Sequence, residues 1–354
     1  MKRIISLSAS AILLVACGDR QADETTPEET SAVPQPEAVE TAALIPRTVI
    51  FGNPERTLAR ISPDGAWVSW LAPDNGVMNV WVAPADDPES ATVITHDDYR
   101  GIRNYFWAPN SEFIYYIQDD GGNENFHVYS ANIANGDVVD LTPVASGVRA
   151  QIEALSADHP DQLVVGLNER DSQVFDLYLV NGKTGKRELI QENPGFMAWV
   201  IDHDLEPQLG QAPTPDGGAN LVDMEGNVIA EIPTSDFLNT GAIGFNTGND
   251  AIYMIDSRER DKAALTTLSL DSGEISVLAE SDLADVSDVL IDARTHEPIA
   301  YNVNHLKSSW FALNDETAAD FEALKSELRG ALDIVGTTQD MSKWVVHEDS
   351  ASKS

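Results

Sequence analysis

The segment FWAPNSEFIYYIQDDGGNENFHVYSANIANGDVVDLTP, Phe106 to Pro143, decides the fold class. It alternates short apolar runs with clusters of turn residues, and no part of it has the 3.6-residue period of a helix. Val, Ile, Tyr, Phe and Thr are typical of strands, and the Gly136 that follows Asn135 supplies the positive φ of a hairpin turn. The segment therefore predicts three antiparallel strands joined by tight turns.

The same arrangement recurs along the chain. Turn-like anchors before an apolar strand follow one another at steps of 44 to 48 residues, at Ser62, Ala108, Ser156, Asp202, Asn246, Asp292 and Thr338. A period in the mid-forties with four short strands per unit is typical of β-propeller blades. The sequence predicts an all-β fold, a seven-bladed β-propeller. We expect the seventh blade to be incomplete, because the chain ends after the second strand of that blade.

Two segments that precede the propeller region differ from it in composition. Residues 1–17 have a basic start, a short apolar run and a small-residue approach to Cys17, which predicts a signal peptide. The ending Leu-Val-Ala-Cys resembles a bacterial lipobox, so Cys17 is the predicted lipidation site. Residues 18–45 are acidic and rich in proline, which predicts a disordered tether. The predicted propeller domain occupies residues 46–354.

The net charge limits the class of partner. The chain has 58 acidic and 22 basic residues, for a formal charge of −36. A field of this sign repels phosphates, so nucleic acid is not an expected partner. It favours cationic ligands, including the amino groups of peptides. The alternative is that the acidic surface only keeps the protein soluble.

No motif in the chain indicates catalysis. The Gly-x-Ser-x-Gly, His-Glu-x-x-His, Gly-x-Gly-x-x-Gly and Walker motifs do not occur. The seven histidines are scattered without metal-ligand spacing, and the acidic turn DDGGNEN lacks the spacing of a known calcium loop. The residues alone therefore predict a binding or gating module with no catalytic residue, no metal and no cofactor.

A resemblance to a known family rests on motifs that occur in the same order along the chain. The segment RGIRNYFWAPNSEFIYYIQDDGGNENFHVYSANI is similar to the second blade of the prolyl oligopeptidase superfamily, in its bacterial dipeptidyl- and acylaminoacyl-peptidase branch. Asn123 and Val128 stand where that branch has Asp and Leu. ISPDGAWVSWLAP and the predicted helical insert DFEALKSELRGALDIVG also fit.

The resemblance implies a serine peptidase whose propeller precedes an α/β-hydrolase domain with a Ser-Asp-His triad. That implies short peptides as substrates and a C-terminal hydrolase half as partner, while this chain alone is expected to be inactive. In exopeptidase relatives, propeller carboxylates hold the free amino group and arginines hold a carbonyl or carboxylate. The substrate-binding candidates are Glu124, Asn125, Arg100 and Arg103. The alternative is that Glu124 and Asn125 only cap a hairpin through hydrogen bonds.

The resemblance to lipoproteins also implies a location. A lipid on Cys17, followed by Gly18, predicts attachment to the periplasmic side of the outer membrane in the envelope of a Gram-negative-type bacterium. Two other functions stay open at this point. One is a stand-alone TolB-like propeller lipoprotein that binds envelope proteins, and the other is a propeller glycosidase or lyase with paired acids in the central channel.

Overall fold

The computed structural model describes residues 44–350. The predicted signal peptide with Cys17, and the predicted tether up to residue 43, lie outside the described residues. The chain divides into two compact units, with the boundary between Phe51 and Gly52. In the described part of the first unit, the short helix α1 (Arg47–Phe51) is exposed, and the Val49 N–H donates to the Pro46 carbonyl at 3.0 Å.

The second unit consists of antiparallel sheets in which strands follow one another in chain order. The first sheet contains β1 (Thr57–Ile61), β2 (Trp67–Asp74), β3 (Val77–Pro84) and β4 (Thr92–Val93). The second contains β5 (Tyr105–Trp107), β6 (Phe113–Gln118), β7 (His127–Asn132) and β8 (Val138–Asp140). The third contains β9 (Ala150–Leu155), β10 (Gln162–Leu167), β11 (Asp176–Asn181) and β12 (Arg187–Gln191). A short 3₁₀ turn, Pro88–Ser90, precedes β4.

The remaining sheets are built in the same way. The fourth sheet contains β13 (Ala198–Ile201), β14 (Pro207–Pro213), β15 (Ala219–Asp223) and β16 (Val228–Ile232), and the fifth contains β17 (Gly241–Phe245), β18 (Ala251–Asp256), β19 (Ala264–Ser269) and β20 (Ile275–Ala279). The sixth contains β21 (Val286–Ile291), β22 (Pro298–His305) and β23 (Lys307–Ala312). The seventh contains β24 (Ala331–Thr337) and β25 (Trp344–Asp349).

The predicted all-β propeller is confirmed, but the predicted count of seven blades is wrong. The first five sheets have four strands each and the sixth has three, and these six are blades 1 to 6, numbered in chain order. The seventh sheet contains only the pair β24 and β25, which is too few strands to count as a blade. The repeat of turn anchors did not reveal this difference, because the anchors mark only the turn between the first two strands of each unit.

Helix α2 (Asp315–Glu327) stands in blade 6 at the point where other blades have a fourth strand. Its first turn is capped by Asn314, whose side chain accepts a hydrogen bond from the Thr317 N–H at 2.8 Å. The predicted helical insert, residues 320–336, was therefore right in kind but wrong in extent. The helix begins earlier, and its predicted second half forms β24, where β-branched residues such as Ile334 favour a strand.

Hydrophobic clusters join each blade to the next. Between blades 1 and 2, Leu71 and Val80 pack with Tyr105, Trp107 and Ile114. Similar clusters lie between the other consecutive sheets, and the last one places Phe321 of α2 against Trp310 of β23 and Leu332 of β24. The apolar faces predicted from the strand pattern are thus buried between blades, as a propeller requires.

The seventh sheet also contacts the first blade. The Gln339 N–H donates to the Pro63 carbonyl at 2.8 Å, and the Lys343 Nζ donates to the Gly65 carbonyl at 2.8 Å. Both donors belong to the turn between β24 and β25, and both acceptors belong to the turn between β1 and β2. The sheets therefore form a ring in which the first and seventh sheets are neighbours.

Candidate functional site

The site begins with the loop between β4 and β5, which Asp97 organises. One carboxylate oxygen of Asp97 accepts hydrogen bonds from the N–H groups of Tyr99, Arg100 and Gly101, at 2.8, 2.9 and 3.0 Å. Burial alone would raise the pKa of Asp97, but these donors and the Gln118 amide hold the pKa of this carboxyl below its usual value. Asp97 therefore acts as an ionised anchor for the loop.

Two amide side chains attach this anchor to the blades. The Asp97 N–H donates to the Asn79 side chain at 2.8 Å, and the Asn79 amide returns a bond to the Asp97 carbonyl at 2.9 Å. Asn79 is fully buried in β3. On the other side, the Gln118 amide at the end of β6 donates to the second carboxylate oxygen of Asp97. The loop is thus held between blades 1 and 2.

The Arg-Gly-Ile-Arg motif combines two anchoring residues with two exposed ones. Gly101 has φ +77°, and a Cβ at this position would lie 3.1 Å from the backbone N and O of Met78. Ile102 is buried, and its N–H donates to the Met78 carbonyl at 2.8 Å. Arg100 and Arg103 are exposed. The middle residues hold the loop against β3, and the two arginines on either side of them remain exposed.

The turn between β6 and β7 lies at the same end of blade 2 as this loop, because successive strands of the meander alternate in direction. Its backbone is held from within. Asp119 accepts the Glu124 N–H at 2.9 Å, and the Asn123 side chain accepts the Asn125 N–H at 2.9 Å. Glu124 has φ +60° and is exposed. These bonds give the turn a fixed conformation with the Glu124 carboxylate on its surface.

The loop and the turn meet through Arg100. A Cβ built on Gly122 would lie 3.1 Å from Nη1 of Arg100, so the guanidinium lies directly against the turn. Among residues 44–350, neither Arg100 nor Glu124 forms an ion pair, which leaves a cation and a carboxylate available to a ligand. Arg103 belongs to the same loop, and its side chain has no hydrogen bond or ion pair among residues 44–350.

An apolar cavity of about 300 Å³ adjoins the turn, between blades 2 and 3. Ile117, Phe126 and Phe175 line it, and the guanidinium of Arg149 lies 5.7 Å from the centroid of the Phe175 ring. Buried Asn168 fixes Arg149 because its side chain accepts the Arg149 N–H at 2.6 Å. The cavity was not predicted from the sequence, since its lining residues come from segments far apart in the chain.

We call the surface made by loop 97–103, turn 119–125 and this cavity the binding face. It offers three exposed carboxylates (Asp98, Asp120 and Glu124), three guanidinium groups and an apolar recess, but no nucleophile paired with a base. Among the described residues, no group of three histidine, cysteine or acidic side chains is placed to hold a metal ion. The arrangement can bind a small ligand with separated charges and an apolar group.

The turns at the opposite ends of the strands hold a second feature that the sequence did not reveal. The rings of His203 and His296, from blades 4 and 6, are stacked with centroids 3.6 Å apart. His203 Nε2 is buried without a hydrogen-bond partner among the described residues, and His296 has φ +56°. Burial, with a smaller contribution from His203, lowers the pKa of His296 below its usual 6.5. Because the two histidines are 93 residues apart, no local sequence pattern predicts that they stack.

One predicted feature, the lipid anchor, is not tested by these residues. Cys17 lies outside the described range, so its lipidation stays a prediction. No helix of residues 44–350 has both the length and the apolar composition needed to cross a membrane.

Comparison with known proteins gives the family. No family model matches the chain. Dipeptidyl aminopeptidase BIII of Pseudoxanthomonas mexicana is 37% identical over 313 residues, which cover 87% of this chain and 45% of that protein. Dipeptidyl peptidase family member 6 of Caenorhabditis elegans is 26% identical over 330 residues, or 88% of this chain and 44% of that protein.

Among solved structures, the β-propeller domain of the Trilobed protease from Pyrococcus furiosus aligns over 74% of this chain and 84% of that one, with a TM-score of 0.45 and 18% identity. The chain spans less than half the length of the two curated relatives that it matches. The motifs of the second blade and the 37% identity to a dipeptidyl aminopeptidase indicate the same family. The chain belongs to the prolyl oligopeptidase superfamily, whose propeller part it matches.

Proposed function

We propose that this propeller is the substrate-docking part of a peptidase and that its binding face holds the free amino end of a short peptide. The observation that carries the proposal is the contact between Arg100 and Gly122, which brings an unpaired cation to the turn that carries the unpaired Glu124 carboxylate. A peptide amino terminus has complementary chemistry, because a protonated amine lies next to a carbonyl oxygen.

The roles of the residues follow from their chemistry. The Glu124 carboxylate accepts hydrogen bonds from the protonated amine, and Arg100 donates to the first carbonyl oxygen of the peptide. We assign to Arg103, on the same loop, a second carbonyl or a carboxylate of the peptide. The cavity lined by Phe126 and Phe175 receives an apolar side chain. The net charge of −36 attracts a cationic terminus to the protein over a longer distance.

We assign peptide hydrolysis to the α/β-hydrolase domain that the family resemblance implies, and not to the propeller. The relatives carry the names of dipeptidyl peptidases, and their remaining length would hold the Ser-Asp-His domain that the family resemblance implies. The binding face provides no nucleophile, base and oxyanion hole of its own. We therefore propose that residues 46–354 alone do not hydrolyse aminoacyl-nitroanilides; sustained turnover by the purified fragment would refute this.

The cellular location is a separate proposal, supported only by the first eighteen residues. A lipid on Cys17 would attach the protein to the envelope, on the periplasmic side of the outer membrane. Cys17→Ser should then move the protein from the membrane fraction to the soluble fraction. Equal fractionation of both forms would argue against the anchor.

A titration monitored by NMR tests the docking proposal directly. We expect Phe-Ala amide, added to the isotope-labelled 354-residue chain, to shift the backbone amide signals of residues 99–103 and 122–126. Signals of residues 343–349, in the seventh sheet, should not move and act as an internal control. Shifts confined to other surfaces, or none at all, would contradict the proposal.

A further inference from the structure

The outer edge of blade 6 is open over part of its length. In five blades a fourth strand pairs with the third, whereas the chain leaves β23 and enters α2. The remaining space beside β23 is a cavity of about 320 Å³. We call it the edge slot; it is lined by Lys307, Ser308, Ser309, Trp310 and Phe311 of β23, Lys325 and Leu328 at the end of α2 and beyond it, and Gly330, Ala331 and Leu332.

The strand register shows which backbone groups face the edge slot. The Leu313 N–H donates to the Ile299 carbonyl at 2.8 Å, so alternate residues before Leu313 bond to β22. The residues between them, Ser308, Trp310 and Ala312, turn their N–H and C=O groups to the outer side. No backbone hydrogen bond in the described residues joins these groups to α2. An unpaired edge of this kind is a template for another strand.

A side-chain donor is also left without a partner. Trp310 is 7% exposed, and its indole Nε1 is buried with no hydrogen-bond partner among residues 44–350. A buried N–H that is not satisfied costs free energy, and a ligand with an acceptor oxygen would remove that cost. Trp310 therefore adds an unsatisfied donor to the residues that line the edge slot.

The charge of the edge slot is opposite to that of the protein. Lys307 and Lys325 both line it, although the chain has only 22 basic residues against 58 acidic ones. Lys307 has no ion pair among the described residues. Lys325 forms one ion pair among the described residues, with Glu322 at 3.4 Å, and such a pair is weak because both side chains are more than half exposed. Both lysines can therefore turn to an acidic ligand.

Apolar surface is available for the other face of an added strand. Trp310 is three residues from Lys307 along β23 and therefore lies on the opposite face of the sheet, where Leu328 packs in the same apolar cluster. Because side chains alternate along a strand, a segment with alternating acidic and apolar residues would meet the lysines and this surface together.

We propose that blade 6 is a β-augmentation site, where an extended acidic segment of a partner protein pairs with β23 as its fourth strand. The partner gains main-chain hydrogen bonds from Ser308, Trp310 and Ala312, and its carboxylates meet Lys307 and Lys325. This site is independent of the peptide amino end that the binding face is proposed to hold.

A designed peptide tests the proposal on the 354-residue chain. Acetyl-Glu-Val-Glu-Val-Glu-amide should bind saturably and slow the amide hydrogen exchange of Ser308, Trp310 and Ala312. The same peptide with Lys in place of Glu should not bind, and neither should a version with a central proline, which lacks a donor N–H. The proposal is overturned if exchange at these three amides is unchanged by the acidic peptide or if the Lys peptide binds equally well.

Paired charge-reversal variants separate edge pairing from general electrostatics. Lys307→Glu with Lys325→Glu should weaken binding of the acidic peptide by about tenfold. Lys183→Glu with Lys186→Glu, in the turn after β11, gives the same change of net charge and should leave binding unchanged. Equal weakening by both pairs would overturn the proposal. Protection of the three amides before peptide is added would also overturn it, because another segment or a second copy would then fill the edge slot.

Discussion

Gly101 shows how one residue determines the geometry of the binding face. Its φ of +77° is unfavourable for any residue with a Cβ, and the backbone of Met78 leaves no room for one. Gly76 has a similar φ of +88°, but a Cβ there would meet nothing within 4 Å. A side chain at Gly76 would therefore meet backbone strain alone, whereas one at Gly101 would meet both strain and steric crowding.

Replacing each glycine by alanine measures the two effects. We expect Gly76→Ala to lower the free energy of unfolding by about 1 kcal/mol, from strain alone. Gly101→Ala should lower it by at least about 1 kcal/mol more, because β3 must also shift. Urea denaturation of both variants checks the difference. Equal losses would mean that the loop does not press against Met78.

The His203–His296 stack predicts a dependence of stability on pH. Because burial lowers the pKa of His296 in the folded protein, protons bind more tightly to the unfolded chain. The stability that this group contributes is therefore present above its unfolded pKa and is lost as the pH falls through its folded pKa. Asp158 and Asp292 oppose the shift without reversing it.

The variant His296→Asn should flatten the pH dependence of unfolding between pH 7 and 5, since Asn does not titrate and tolerates the positive φ. The exposed His96, replaced by Asn, is the matched control and should leave the slope as it is in the parent. Denaturation midpoints at three pH values give the slopes. Identical slopes for His296→Asn and the parent would contradict the assigned shift.

At the scale of elements, α2 follows β23 where other blades have a fourth strand, and it packs against the next sheet without pairing with β23. Phe321 is 2% exposed and packs edge-on against Trp344 of the seventh sheet, with ring centroids 6.1 Å apart. Phe321→Ala should lower the free energy of unfolding by about 3 kcal/mol because it leaves a cavity between α2 and the last two sheets. Glu322→Ala, one residue away and exposed, should change it by less than about 0.5 kcal/mol. Thermal unfolding compares the two, and a small effect of Phe321→Ala would mean that α2 is only loosely attached.

The strands were predictable where their signal is local. Runs such as Phe113–Gln118 and Ala251–Asp256 combine β-branched or aromatic residues with flanking turns, and they form β6 and β18. The end of α2 was not predictable in this way, because the stretch from Leu328 to Gly336 continues an apolar pattern that suits either a helix or a strand. Its strand pairing depends on β25, which sequence periodicity does not show.

The binding face was predictable only in part, for the same physical reason. Resemblance to the family gave Arg100, Arg103, Glu124 and Asn125, and the structure sets Arg100 against the turn that holds Glu124. The supports of these residues come from other blades or loops. Asp97, which positions Arg100 through the backbone, is one acid among 58, and nothing in its local sequence distinguishes it.

On the scale of the whole molecule, the ring of sheets separates two kinds of surface. The binding face lies at one end of blades 1 to 3, and the edge slot lies on the outer side of blade 6. The two proposals can therefore be tested independently. A ligand that binds by its amino end should respond to Glu124, and one that pairs with β23 should respond to Lys307.

The central claim is that Glu124 recognises a free peptide amino group. Its most direct test compares the dissociation constants of Phe-Ala amide and acetyl-Phe-Ala amide for the 354-residue chain, at pH 6.5, where the free amine is protonated. We predict that the parent prefers the free amine by about fivefold. Glu124→Gln should abolish this preference, whereas Glu112→Gln, an exposed acid in the turn before β6, should keep it. Equal binding of both peptides by the parent, or equal loss of preference in both variants, would contradict the claim.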